Sequence, residues 1–279
     1  MGTLIYFRAV KDHRPSSTSR NGLVLFLTGL LFSILWPSAS AATKFGLQVA
    51  QPFVICIIRF FIAGALMLIA THVFLRNRIP NRNEWKQLAI YGLLNITVYL
   101  SLFVLAMQHV SPGLGSLATA TNPVFISLIT ALAFRQRLHS YTILSLLLCT
   151  AGVLIAAYPL FRSSYATPGG LLILFISMLS YSAGVIYFSR KNWGDLHILT
   201  INGWQTVLGG IFLAPLTAIT FHASANTWNF QLAASVLWLA IPVSIIAVLL
   251  WLYLLKDNAV KASFWYSFAR CLDLSWQMC

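Results

Sequence analysis

Eight long apolar stretches follow one another along this chain, separated by short polar gaps. A helix of about 20 mostly apolar residues crosses the hydrocarbon core of a bilayer. Lipid offers backbone polar groups no hydrogen-bond partner, so consecutive stretches of this length are expected to be helical. We therefore predict an all-α, polytopic membrane helix bundle with eight complete transmembrane helices. They run approximately over residues 21–42, 52–75, 86–108, 112–134, 141–158, 169–189, 197–221 and 230–255.

The composition excludes an ordinary soluble domain. Hydrophobic residues make up 59% of the 279 residues and charged residues only 8%, whereas about 25% of a soluble domain is charged. The net charge of +13 does not indicate nucleic acid, because the Lys and Arg lie in short loops and not on one dense surface. The partners that we predict are the lipid bilayer and a small molecule, with no nucleic acid; a homodimer is left open.

The distribution of basic residues predicts the orientation. With the N-terminus inside, 14 Lys and Arg fall in inner segments and two, Lys44 and Arg162, in outer loops. Lys and Arg are enriched in cytoplasmic loops, so we predict a multi-pass inner-membrane protein with a basic cytoplasmic tail at residues 1–21. A cleavable signal peptide ending near Ala39-Ser40-Ala41 is the alternative for the first stretch.

The order of motifs in the first four stretches resembles a known family. Trp36-Pro37-Ser38 precedes Lys44 in the first, Arg59-Phe60 lies in the second, and small residues from Ser111 lead to Pro123 in the fourth. This order is similar to that of the drug/metabolite transporter superfamily, in its ten-helix EamA-type branch, and the resemblance covers roughly residues 20–264. It implies two five-helix repeats of inverted topology, alternating access, and export of small metabolites without a cofactor.

The chain departs from that family pattern in three places. Pro37 stands where the family usually has Gly, and Gln136 or Arg137 stands where it usually has Glu. A shift of 147 residues places Gly115-Ser116 on residues 262–263, but the apolar pattern stops after Phe268. We therefore expect a first repeat at 22–158 and an incomplete second repeat at 168–279, with eight full helices and a stump at 259–269.

This departure leaves two functions open. The first is a small-metabolite transporter whose full-length form has ten helices. The alternative is a non-transporting, truncated membrane fragment, and on this interpretation the chain as written carries no substrate. A membrane-embedded enzyme is disfavoured, because the sequence has no HExxH, no paired membrane aspartates and no GxSxG with a matching base.

Polar side chains inside the apolar stretches are the candidate site. Such groups are costly in lipid and usually face the interior of the bundle. Each also has a purely structural interpretation: small residues let helices approach, Lys44 can snorkel to the interface, and a proline can simply kink a helix. The predicted substrate-binding residues are Trp36, Ser40, Lys44, Arg59, Asn95, Tyr99, Thr119, Asn122, Pro123, Tyr181, Asn202 and Gln205.

The charges of the stretches favour one class of solute. None of the five carboxylates falls at the centre of a stretch, while Arg59 lies well inside the second. A cationic interior without carboxylates favours amino-acid-like solutes that are anionic or zwitterionic, and proton coupling would need His72, His109 or His197. We predict no metal site.

The orientation can be tested by labelling. Single cysteines placed beside Arg78 and Arg135 are expected to resist a membrane-impermeant thiol reagent in intact cells and to react after permeabilisation, because both sites are predicted to be cytoplasmic. A cysteine beside Lys44 serves as the outward control. Rapid labelling at Arg78 and Arg135 in intact cells would reverse the orientation.

Overall fold

The structure is a computed structural model that describes residues 22–134, 143–144, 147–148, 151, 155, 158 and 166–250. The described part of the chain is helical and contains no strand; Val110 and Ala166 form an isolated antiparallel bridge. The helices are α1 (Gly22–Leu35), α2 (Ser38–Leu47), α3 (Pro52–Ile69), α4 (Arg82–Gly92), α5 (Ser101–Ala106), α6 (Pro112–Ala120), α7 (Asn122–Phe134), α8 (Pro168–Arg190), α9 (Ile198–Thr220) and α10 (Phe230–Trp238).

Three π-helical segments extend these helices. Ala70–Phe74 continues α3, Leu93–Leu100 joins α4 to α5, and Leu239–Ala247 continues α10. A π turn widens a helix by one residue and frequently marks a functional site. A short 3₁₀ turn, Ala223–Ala225, precedes α10.

Six helices in the described residues are long and apolar enough to cross a membrane, and they correspond to the predicted spans one, two, three, six, seven and eight. Their bounds are Val24–Leu47, Pro52–Phe74, Arg82–Ala106, Pro168–Arg190, Ile198–Thr220 and Phe230–Leu250. The prediction of a polytopic helical bundle is confirmed to this extent. Most of the predicted fifth span and the whole stump at 259–269 lie outside the described residues.

The first and fourth predicted spans are each divided into two helices. In the first, α1 ends beside Trp36-Pro37, because a proline has no backbone N–H to donate and its ring crowds the preceding turn. In the fourth, α6 and α7 are separated at Thr121, two residues before Pro123. Both breaks fall where the sequence carries a proline.

The third span begins four residues before its predicted start. The sequence prediction began at Lys86, whereas α4 begins at Arg82. The backbone N–H of Asn81 donates to the Glu84 carboxylate at 2.7 Å, an arrangement typical of a helix N-terminus. This local cap adds a polar first turn that the apolar pattern could not show.

The helices pack around a central pair, α3 and α9. Glycines bring them together: a Cβ on Gly64 would lie 2.5 Å from Cγ2 of Val207, and a Cβ on Gly203 would lie 2.8 Å from Cδ2 of Leu68. Small residues at such contacts let helix backbones approach closely in membranes. The first span packs against α10, and α8 packs against the third span, on the two flanks of this pair.

The outward surface of the bundle is apolar. Large side chains including Leu172, Ile211, Ile219 and Leu237 are exposed on the long helices. A soluble monomer rarely exposes so much contiguous apolar surface, and hydrocarbon is the solvent that suits it. This exposed apolar surface agrees with the high proportion of hydrophobic residues in the sequence.

Close packing of α4 against α9 generates a test at Gly92. A Cβ there would lie 2.7 Å from the backbone carbonyl oxygen of Gln205, so Gly92→Ala is expected to lower the stability of the fold by about 1–3 kcal/mol through overpacking. Gly169→Ala is the matched control, because nothing lies within 4 Å of its Cβ position. The measurement is the fraction of monodisperse protein that survives heating in detergent; equal survival of the two variants would contradict this packing.

Candidate functional site

Arg59 is buried between the second span and the eighth. Its residue is 6% exposed, and its Nε donates to the Ser244 hydroxyl at 3.0 Å. The Ser244 hydroxyl in turn donates to the Leu239 carbonyl at 2.9 Å, inside the π-helical segment Leu239–Ala247. Cys56 and Tyr99 lie close enough to interact electrostatically with the guanidinium.

No carboxylate neutralises Arg59 within the part of the chain that the structure describes. The ion pairs there join Arg78 to Glu84 and to Asp195, both near helix ends. The Nε of Arg59 is the only nitrogen of its guanidinium with a hydrogen-bond partner among the described residues. A cation buried in this way is costly and needs a counter-charge or further acceptors.

Two tyrosines lie next to this centre. The rings of Tyr99 and Tyr181 have centroids 4.8 Å apart and planes tilted by 53°, and the Ser177 hydroxyl donates to the Tyr99 carbonyl at 3.0 Å. These contacts join the third span to α8. The structure thus brings together Arg59, Tyr99 and Tyr181, three of the predicted site residues.

A second polar group joins the first span to the fourth. The Ser116 hydroxyl donates to Ser40 at 3.2 Å, and the Thr119 hydroxyl donates to the Ser116 carbonyl at 2.7 Å. The Lys44 ammonium donates to the carbonyl of Met107 at the end of the third span. Ser40 therefore lies at the contact between α2 and α6, Lys44 binds the end of the third span, and the described hydrogen bond of Thr119 lies within α6.

Asn122 is buried at the break between α6 and α7. It is 3% exposed, and its Oδ1 has no hydrogen-bond partner among the described residues. A buried acceptor left without a partner carries a desolvation penalty of about 1–3 kcal/mol. Pro123 follows in the first turn of α7; the structure does not describe its side chain.

Three of the four predicted amide residues form a cluster of their own. Asn95 donates to the Gln205 side chain at 3.3 Å, and Gln205 donates to the Asn202 side chain at 2.7 Å. The cluster joins the third span to α9. No described hydrogen bond joins it to Arg59, so these residues satisfy one another and not the cation.

Trp36 lies apart from the other predicted residues. Its ring centroid is 5.6 Å from that of Phe32, and it packs beside Leu35 and Ala247. This position joins the first span to the π-helical segment of the eighth. The described contacts of Trp36 are thus with apolar neighbours on the flank of the bundle.

Ser244 is a site residue that the sequence prediction missed. It is the single polar residue in the apolar run from Leu239 to Leu250, and that isolation was the signal available. Ser101 and Thr43 were missed as well; both hydroxyls are buried and have no partner among the described residues. Only helix packing shows which of these hydroxyls lie near the cation.

The two ends of the bundle are closed by different chemistry. One end carries Arg76, Arg78, Arg190 and Lys191, and we name it the basic end. There Arg78 binds Glu84 through two hydrogen bonds of 2.8 Å and Asp195 through two more, of which the one from Nε is 2.9 Å long. These contacts connect the segment after the second span to the segment before α9.

The opposite end is closed by neutral groups. The Gln51 backbone N–H donates to the Asn226 side chain at 2.8 Å, and Asn226 donates back to the Gln51 side chain at 2.9 Å. The Gln231 side chain donates to Gln48 at 2.8 Å. We name this the amide end. A cavity of about 350 Å³ opens there, lined by Gln48, Gln51, Gln108, Ser224 and Thr227 among others.

Comparisons with known proteins agree with this architecture. Residues 22–158 match the sequence model of the EamA-like transporter family. An uncharacterized transporter of Archaeoglobus fulgidus is 26% identical over 231 residues, which is 82% of this chain and 79% of the relative. The uncharacterized transporter YoaV of Bacillus subtilis is 21% identical over 255 residues, 90% of this chain and 87% of the relative.

A third relative has a name that does not include the word transporter. Protein PecM of Dickeya dadantii is 24% identical over 229 residues, 81% of this chain and 73% of that protein. Residues 22–158 therefore form a domain of the EamA-like transporter family, and these relatives support a multi-pass membrane transporter.

The ion cluster at the basic end gives a prediction on charge and pH. The carboxylates of Glu84 and Asp195 raise the pKa of Arg78, and the hydrogen bond from Arg78 lowers the pKa of Asp195 below its ordinary value. A carboxylate with a lowered pKa stabilises the fold above its unfolded pKa, and that contribution is lost only as pH falls through the folded value.

Arg78→Gln is therefore expected to lower the thermal unfolding midpoint, by an amount that stays constant between about pH 8 and about pH 5 because Asp195 is ionised throughout that range. Arg76→Gln is the matched control, since Arg76 is exposed and makes no described ion pair. Intrinsic fluorescence in detergent measures the midpoints. A difference that vanishes at pH 5, or an equal effect of Arg76→Gln, would contradict this account.

Proposed function

We propose that this protein carries small anionic or zwitterionic metabolites, amino-acid-like in size and charge, across the inner membrane by alternating access, with export as its direction. The observation that carries the proposal is Arg59, a buried guanidinium at the contact of two spans without a carboxylate partner in the described residues. No enzymatic step is part of the proposal.

The physical argument starts from the cost of that cation. A buried, unpaired charge is unfavourable, and a buried pair is tolerated when geometry and hydrogen bonds are good. A substrate carboxylate supplies the missing negative charge and can accept two parallel hydrogen bonds from a guanidinium. Ser244 occupies Nε at 3.0 Å, so the two terminal nitrogens are the donors that would hold the solute.

The surroundings of Arg59 suit a zwitterion. Tyr99 and Tyr181 present aromatic rings beside the guanidinium centre, and aromatic faces attract an ammonium group with about 0.5–2 kcal/mol. The buried Ser101 hydroxyl, beside the Cys56 thiol, is a further acceptor. An amino-acid-like solute would place its carboxylate on the guanidinium, its ammonium group on the aromatic rings, and a hydrogen-bond donor on the Ser101 hydroxyl.

Internal repetition supports the inverted-repeat architecture. A shift of 147 residues carries the π-helical segment Leu93–Leu100 onto residues 240–247, beside the observed segment Leu239–Ala247. The same shift carries Thr97 onto Ser244. Each of these side chains donates to the carbonyl five residues before it, at 3.5 Å for Thr97 and 2.9 Å for Ser244.

The packing of the spans repeats in the same way. The first span packs on the eighth as the sixth packs on the third, and the second packs on the eighth as the seventh packs on the third. The contact between α3 and α9 maps onto itself under this exchange. This is the pattern expected of two inverted repeats related by a pseudo-two-fold axis in the membrane plane.

Alternating access would use the two closed ends. The Arg78 cluster holds the basic end, and the Gln51–Asn226 pair holds the amide end. Each joins segments from different proposed repeats, so rocking of one repeat against the other would open one set of contacts while keeping the other. The positive-inside rule places the basic end in the cytoplasm.

The proposal is tested by counterflow in proteoliposomes that contain the 279-residue chain. Radiolabelled anionic, zwitterionic and cationic amino acids are compared, and the first two classes are expected to exchange. Arg59→Gln is expected to reduce that exchange about tenfold or more, because it removes a charge-assisted hydrogen bond to the carboxylate. Arg76→Gln, which removes an exposed charge without a described ion pair, is the matched control and is expected to change it by less.

Several results would overturn the proposal. Absence of exchange with every solute class would show that this chain is not a carrier. Equal exchange of cations, or an unchanged rate in Arg59→Gln, would remove Arg59 from the substrate site. Should Arg59→Gln fail to insert, Ser244→Ala provides the second variant, because it releases the Nε contact without removing the charge and is expected to alter substrate affinity.

A further inference from the structure

His72 connects two spans at the basic end of the bundle. It lies in the π-helical segment Ala70–Phe74 that continues α3, and its side chain is partly exposed. The imidazole Nε2 is 3.1 Å from the indole nitrogen of Trp204 in α9, and Nδ1 is 3.0 Å from the backbone carbonyl oxygen of Asn77. Both ring nitrogens are therefore engaged.

The partners of the two nitrogens fix the position of the proton. An indole N–H only donates, so Nε2 must accept from Trp204 with its lone pair. A carbonyl oxygen only accepts, so Nδ1 must carry the hydrogen that it donates to Asn77. Only the neutral imidazole with its hydrogen on Nδ1 makes both hydrogen bonds.

A proton on Nε2 is incompatible with this arrangement. The added N–H would point at the indole N–H of Trp204, so two donors would face each other and the hydrogen bond would be lost. Histidine is the side chain whose charge ordinarily changes between about pH 5 and about pH 8. The hydrogen bond between His72 and Trp204 is thus available only to the unprotonated form.

The contacts around His72 also connect neighbouring spans. The hydroxyls of Thr71 and Thr200 are 2.8 Å apart, and the Asn77 amide donates to Thr71 at 2.9 Å. The ring of Trp85 meets Trp204 edge-on at 4.5 Å. His72 is the ionisable member of this group, and its neighbours are hydroxyls, an amide and indoles.

Charged groups of the surrounding segments leave His72 unpaired. Arg78, Glu84 and Asp195 are bound to one another, and none of the described ion pairs or hydrogen bonds joins a charged group to His72. The charged and titratable residues on the packed elements are Arg76 and Arg78 after the π turn, Arg82, Glu84 and Lys86 in α4, and Asp195 and His197 before α9.

The other two candidate histidines make different contacts. His197 accepts from the backbone N–H of Leu199 at 3.2 Å and so caps its own helix. The described hydrogen bonds of His109 use its backbone: its carbonyl accepts from the Thr167 N–H at 3.0 Å, and its N–H donates to the Ala106 carbonyl at 2.8 Å. Among these three, His72 alone has a described side-chain hydrogen bond to a different span.

We propose that His72 is a proton-binding site that controls opening of the basic end. Nε2 takes a proton from a hydronium ion of the solvent at that end, which leaves a water molecule; an N–H bond forms and the imidazole becomes a cation without any redox change. The bond to Trp204 is then lost and the ends of α3 and α9 separate. The proposal rests on the proposed transport function and adds the ligand, a proton, that regulates it.

The test is hydrogen–deuterium exchange of the full chain in detergent or nanodiscs, read by mass spectrometry and corrected for the intrinsic pH dependence of exchange. The amides of residues 71–77 and 198–204 are expected to lose about tenfold in protection between about pH 8 and about pH 5.5, the effect of losing one hydrogen bond of ordinary strength. The protection of the backbone amides around Gly64 and Val207, where α3 and α9 also meet, is expected to stay constant.

Three variants define the result. His72→Gln removes the imidazole and is expected to give protection that does not vary with pH. Trp204→Phe keeps the imidazole but removes the opposing donor, and is expected to abolish the pH effect. His197→Asn keeps a capping side chain and is expected to behave like the parent.

Two outcomes overturn the proposal: pH-independent protection in the parent, or an unchanged pH effect in both His72→Gln and Trp204→Phe. The exchange measurement needs no substrate, so it can fail while counterflow succeeds, which would discard the proton site and keep the carrier. It can also succeed while counterflow fails, which would keep the proton-sensitive contact and discard the carrier.

Discussion

The contact between α3 and α9 is the constraint on which the rest of the bundle depends. Water is absent from the hydrocarbon core, so helices associate there through close packing and polar contacts and not through the hydrophobic effect. Gly64 and Gly203 supply the close packing, because neither position has room for a side chain. The first and eighth spans then pack on one flank of this pair, and α8 and the third span on the other.

Polar groups are concentrated where spans meet. Arg59 and Ser244 join the second span to the eighth, and Asn95 and Gln205 join the third to α9. The two groups differ in what they leave unsatisfied. The amides donate to and accept from one another, whereas a guanidinium only donates and finds a single acceptor at Nε among the described residues. The buried cation therefore keeps donors without a described partner, whereas the amide side chains are paired with one another.

The π-helical segments place these polar groups. A π turn shifts the register of a helix by one residue, and in the eighth span that shift lets the Ser244 hydroxyl reach the Leu239 carbonyl and still accept from Arg59. Thr97 makes the corresponding contact in the third span and also donates to the Gly209 carbonyl at 2.9 Å. In both segments, the same π-helical geometry therefore positions a hydroxyl that takes part in a contact between helices.

The apolar pattern of the sequence determined the class of fold, the positions of six described spans and the polar residues within them, because lipid permits only helices whose backbone groups are satisfied internally. The two breaks in these spans lie beside prolines that the sequence shows, Pro37 and Pro123, but the division of each span into two helices came from the structure. The apolar pattern could not show that α4 begins at Arg82, since a capped polar first turn lies outside the apolar run.

Only the tertiary structure divided the predicted site. It brought Arg59 beside Tyr99 and Tyr181, set Asn95, Asn202 and Gln205 against one another, and left Trp36 among apolar neighbours. It also added Ser244, which is 185 residues from Arg59 in the chain. Spacing along one helix tells which residues share a face, but the partner of that face depends on how the helices pack, and sequence periodicity carries no information on that.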